Sequence, residues 1–122
     1  MSLFYINGKE YKTAQTELDH FKIRSIPKSY NAWFNSSPQD AYLCYEPGDI
    51  FLVDNNVYNL YYNTETFSRF RDQTFLMNAT EEDKSIDTVL KLTQFLLDNK
   101  FTKKSKLIVI GGGITQDVAA FA

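Results

Sequence analysis

Lys106-Leu107-Ile108-Val109-Ile110-Gly111-Gly112-Gly113-Ile114-Thr115-Gln116-Asp117 is the stretch that decides how this chain folds. An unbroken apolar run of this kind suits a strand buried on both faces. It leads directly into three glycines, and Ile114 onward reads as the start of a helix. At such a junction, backbone N–H groups and aligned peptide dipoles face an anion, and glycine, lacking Cβ, lets a phosphate come close. The turn is not a complete G-x-G-x-x-G fingerprint, because Gln116 stands where its last glycine would be. The acidic residue expected about 20 residues further on lies past Ala122. A phosphate cradle and a purely structural tight turn both remain open on these residues alone.

Upstream, the pattern alternates. A helix is predicted between Glu81 and Lys100, with Thr80 as its N-cap and Ile86, Val89, Leu90, Leu96 and Leu97 near one face. Thr74 to Met77 reads as a short strand, and Ile50-Phe51-Leu52-Val53 as another buried one. Asp54-Asn55-Asn56 ends that strand and can cap a helix carrying Val57, Leu60 and Tyr61. Ala41, Tyr42, Leu43 and Tyr45 suggest a short helix stopped by Pro47-Gly48. Strands alternating with helices predict an α/β fold, a Rossmann-like, mostly parallel sheet with helices on its faces. Two hairpins precede it: Leu3–Ile6 with Lys9–Lys12 around Asn7-Gly8, and His20–Ile26 with Tyr30–Asn35, interrupted by Pro27. Residues 1–19 are read as a β-hairpin extension and 20–122 as the nucleotide-binding part. Val118 to Ala122 enters a helix with no stop signal, so the domain is expected to be incomplete at Ala122.

Composition narrows the function classes. With 43% hydrophobic and 23% charged residues the chain is an ordinary folding sequence, and a net charge of -2 offers no basic field, so nucleic acid is not expected as a partner. Cys44 is the single cysteine and His20 the single histidine. Neither a disulfide nor a thiolate metal site can be assembled from them, and a reducing, cytoplasmic setting is expected. No run approaches the ~20 apolar residues of a membrane span, so no membrane association is expected.

Other polar residues fall where open α/β sheets gather ligand groups, at the carboxyl ends of strands. Asp54 and Asn56 can hydrogen-bond ribose hydroxyls or an adenine edge, or simply cap the following helix. Glu81 and Lys84 can meet a ligand at the next strand end, or form an exposed pair.

Taken in order and spacing, Asp54-Asn55-Asn56-Val57, Glu81-Glu82-Asp83-Lys84-Ser85 and Gly111 through Ala122 resemble the N-terminal domain of 3-dehydroquinate synthase and related sugar phosphate cyclases. The resemblance runs from roughly residue 20 to the last residue and covers about the first third of a family member. It implies a carbon-oxygen lyase of the shikimate pathway type that binds NAD between an N-terminal α/β domain and a helical metal-binding domain. It further implies that Asp54 and Asn56 contact the adenosine side and Glu81 and Lys84 its neighbourhood. Gly111, Gly112, Gly113 and Asp117 would serve the phosphate and nicotinamide region. Zinc or cobalt, held by a glutamate and two histidines, would belong to the second domain, so the isolated chain is expected to be inactive. Gln116 departs from the glycine usual in housekeeping members, which leaves room for another sugar phosphate. A fragment of an iron-dependent alcohol or glycerol dehydrogenase relative and a free-standing, non-catalytic nucleotide-binding or interaction module are the alternatives. A sheet lacking later strands exposes an edge, so a homo-oligomer is expected.

Overall fold

The computed structural model describes residues 2–13, 20–35 and 37–122. They form two compact units, Met1–Ser37 and Pro38–Ala122. The expected boundary at residues 19 and 20 adjoins residues 14–19, which lie outside the described residues.

In the first unit, β1 (Ser2–Ile6) pairs antiparallel with β2 (Lys9–Thr13), closed by the Ile6 and Lys9 pair. Asn7 and Gly8 both have positive φ, 51° and 76°. A two-residue turn needs that backbone hand to match the strand twist. The second hairpin joins β3 (His20–Ile23) to β4 (Tyr30–Trp33). It is shorter than its apolar run suggests: pairing stops at Ile23, short of Pro27, which has no N–H to give to a ladder.

The second unit is a three-stranded parallel sheet of β5 (Ile50–Asp54), β6 (Thr74–Met77) and β7 (Leu107–Ile110), in the order β6-β5-β7. Central β5 is buried on both faces, as its continuous apolar run requires. Alternate side chains serve two cores. Phe51 and Val53 join Tyr42, Tyr58, Tyr62, Phe67 and Phe70. Ile50 and Leu52 join Met77, Leu92, Leu96 and Val118.

The first core is aromatic and is covered by short, tightly wound elements. These are a 3-10 helix at Pro38–Cys44, α1 (Asn55–Val57) continuing as a π turn at Tyr58–Tyr62, and a 3-10 helix at Glu65–Gln73. Tyr42 lies at its centre, with ring centroids 4.4 Å from Phe51 and 4.3 Å from Phe67. The helical segment after Asp54 carries Val57, Leu60 and Tyr61 as expected, but the residues it buries are Tyr58 and Tyr62, with Leu60 and Tyr61 exposed. Wider π winding, closed by Asn63 N–H to the Tyr58 carbonyl, changes which residues share a face.

On the other face lie α2 (Ile86–Asp98) and α3 (Gly113–Phe121). Helix α2 begins later than expected and its N-cap is Ser85, whose Oγ accepts the Thr88 N–H. Thr80 instead organises a turn, accepting the Asp83 and Lys84 N–H groups at its carbonyl and Asp83 N–H again at its hydroxyl. The buried face of α2 is Leu92 and Leu96, flanked by Val89 and Phe95, while Ile86, Leu90 and Leu97 are exposed.

Asp49 fastens the amino end of the sheet. Its buried carboxylate accepts the Lys106 N–H at 2.8 Å and the Glu46 N–H at 3.0 Å, with Lys106 Nζ at 3.4 Å. Burial alone would raise its pKa, but the two backbone N–H groups and the Lys106 ammonium outweigh that and hold it below its ordinary value.

Candidate functional site

Sheet register makes the carboxyl ends of the three strands level. Asp54 is paired with Met77, and Val53 with Ile110, so Gly111 follows at the height of Asp54 on the adjacent strand. Neighbouring strands lie about 4.8 Å apart, so the glycine turn and the Asp54 cap border one another.

The three glycines differ. At Gly111 an added Cβ would lie 2.6 Å from Thr115 Oγ1 and 2.8 Å from Thr115 Cβ, and Thr115 is fully buried. The fold itself therefore demands glycine there. At Gly112 and Gly113 an added Cβ would meet nothing within 4 Å. Gly112 is the N-cap of α3 and has no side chain to cap with, and the first helical bond is Gln116 N–H to the Gly112 carbonyl at 3.1 Å. Packing within the chain thus explains Gly111, whereas no packing contact explains glycine at Gly112 or Gly113, at the start of α3.

Asp54 acts as a cap: its Oδ1 accepts the Asn56 N–H at 3.0 Å. This is the capping role left open from the sequence, and it orients the carboxylate at the strand end. Glu81 is exposed on the turn before α2. Lys84 pairs with Asp117 on α3, Nζ to Oδ2 2.8 Å, a partner that sequence spacing did not suggest. Its pKa is raised, first by the hydrogen bond it donates to Asp117, then by the charges of Asp117 and Glu81. A cleft of about 210 Å³ opens behind this pair, between Lys84, Ser85 and Ile86 on one side and Asp117, Val118 and Phe121 on the other.

The contacts of two residues in this region escaped the sequence reading. Ser85 caps α2 and lines the cleft, and its signal was a serine immediately before the first periodic apolar residue. Gln116 donates from Nε2 to the Gly111 carbonyl at 3.2 Å, a contact with no signature in sequence. Among the described residues, no group of three or more His, Cys, Asp or Glu side chains could hold a metal ion. Among them also, no helix is long and apolar enough to cross a membrane.

Residues 74–122 match the family model described as 3-dehydroquinate synthase N-terminal. The 3-dehydroquinate synthase of Shouchella clausii is 33% identical over 119 residues, 96% of this chain and 29% of that protein. That of Pelagibacter ubique is 31% identical over 100 residues, 80% of this chain and 26% of that protein. Demethyl-4-deoxygadusol synthase of Trichormus variabilis is 33% identical over 75 residues, 58% of this chain and 18% of that protein. The chain spans less than a third of the length of these curated relatives. No solved structure matches it. Its α3 helix and glycine turn thus lie in a segment similar to the N-terminal part of 3-dehydroquinate synthases.

Proposed function

We propose that this chain supplies the nucleotide-binding wall of a 3-dehydroquinate synthase-like sugar phosphate cyclase, with NAD as the nucleotide. The observation that carries the reading is that nothing in the chain packs where a Cβ at Gly112 or Gly113 would lie, at the start of α3 and the carboxyl end of a parallel strand. No internal packing requires glycine at either position, whereas a pyrophosphate lying against the backbone does. In this reading Gly111, Gly112 and Gly113 with the α3 amides hold the pyrophosphate. Asp54 and Asn56 receive the adenosine side, Glu81 and Lys84 lie near it, and Asp117 faces the nicotinamide region. NAD, when bound, supplies a reversible hydride acceptor. The chain's own residues bind and orient it.

The residues described here do not form a metal donor set, so no step is assigned to a metal on this chain. The relatives' greater length fits a second domain that completes the cleft and carries the zinc or cobalt. A cytoplasmic location and self-association through the outer edge of β7 belong to the same proposal. Among the described residues that edge has no paired strand.

Titration of the 122-residue chain with ADP and NAD, followed by amide NMR shifts, tests the reading. Binding with a Kd near ~1 mM is expected, since one wall supplies the contacts. Shifts should centre on residues 111–115. Gly112→Val should remove them while the fold is retained. Equal binding by both proteins would return the glycine turn to a structural role.

A further inference from the structure

We propose that Gln116 is a positioning residue that presets the glycine turn, aiming the Gly112 and Gly113 N–H groups before any ligand arrives. The inference rests on the reading of that turn as the pyrophosphate site. Consecutive glycines have the widest choice of backbone conformations, and a ligand that needs one of them must order the rest. The usual device for fixing a helix start, a capping side chain, is missing at Gly112.

Gln116 takes over that task by holding two successive carbonyls. Its backbone N–H bonds to the Gly112 carbonyl at 3.1 Å, and its side-chain Nε2 bonds to the Gly111 carbonyl at 3.2 Å. In a trans peptide the carbonyl of one residue and the N–H of the next point in opposite directions. Fixing the Gly111 and Gly112 carbonyls toward Gln116 therefore turns the Gly112 and Gly113 N–H groups away from it, and nothing in the chain packs where a Cβ at either glycine would lie. Thr115, fully buried against Gly111, blocks the pivot from moving the other way. A residue without a side-chain donor at position 116 keeps the backbone bond and loses the one to Gly111.

The test compares the 122-residue chain with its Gln116→Ala and Gln116→Glu variants. Glutamate keeps the length but offers no donor at neutral pH. Gln116 is exposed, so both variants should fold and melt close to the parent. Without ligand, both should shift the Gly112 15N resonance and speed solvent exchange of the Gly112 and Gly113 amides. With ADP as probe, both should bind about three- to tenfold more weakly, the range that one net hydrogen bond supports. Equal ADP affinity in all three proteins overturns the inference and leaves the pyrophosphate reading standing. If the parent itself binds no ADP, the pyrophosphate reading fails. Gln116 is then judged on exchange, where unchanged rates in both variants overturn its hold on the turn and faster rates sustain it.

Discussion

Asp117, at the start of the second turn of α3, holds Lys84 Nζ at 2.8 Å, so the turn leading into α2 is tied by an ion pair to the helix that follows the three glycines. Both partners are roughly half exposed, at 44% and 54%. Exposed pairs add little to stability, so little of the fold's stability rests on this one; both partners line the cleft between α2 and α3. The raised Lys84 pKa means that the pair's contribution is fully present below the ordinary lysine value of 10.5 and is lost as pH rises through the higher folded value. At neutral pH it is intact. Asp117→Asn should bring the Lys84 pKa back toward 10.5, read from the side-chain resonances during a pH titration, with little change in melting temperature. An unmoved pKa would mean that the pair does not persist in solution.

The contrast between Gly111 and Gly112 gives a prediction that separates folding from binding. Gly111→Ala drives a Cβ into buried Thr115 and should cost about 1–3 kcal/mol of stability by overpacking. Gly112→Ala meets open space at a φ of -83° and should leave stability within about 0.5 kcal/mol while reducing ADP binding. Urea unfolding of both variants beside ADP titration checks the pair. Equal destabilisation would show that Gly112 serves the fold.

Strands β5, β6 and β7 were legible in the sequence because each is a short apolar run closed by polar or glycine residues, and Thr74–Met77 has the bounds read from it. The glycine turn and the Asp54 cap were legible for the same local reason. Pairings that depend on tertiary placement were not. Lys84 and Asp117 are brought together only by packing α3 against α2, and no spacing rule links them. The face of α2 was misread because its apolar residues cover more than half of the helix circumference. Periodicity then admits more than one buried face, and contact with β5 and α3 selects Leu92 and Leu96. Leu92→Ala should therefore cost about 2–5 kcal/mol and Leu90→Ala less than about 1 kcal/mol, measured by chemical denaturation. Equal losses would restore the face first expected.

Asp49 governs the acid limit of the fold. Its carboxylate is almost fully buried and joins the start of β5 to the start of β7 through the Lys106 N–H, while Lys106 Nζ lies 3.4 Å away and also donates to the Cys44 carbonyl. Because its folded pKa is lowered, its contribution is fully present above the unfolded value of 3.8 and drains away as pH falls through the lower folded value. Protonation then leaves a buried carboxyl with one acceptor too few for the groups converging on it. Asp49→Asn imposes a similar loss at every pH and should cost about 1–3 kcal/mol near neutrality. The variant should also have a flatter stability profile below about pH 4, since the titrating group is gone. Urea unfolding of both proteins from about pH 7 to about pH 2 measures both effects. If the two curves stay parallel down to the acid end, some other carboxylate sets the limit, and Asp49 acts through its neutral hydrogen bonds alone.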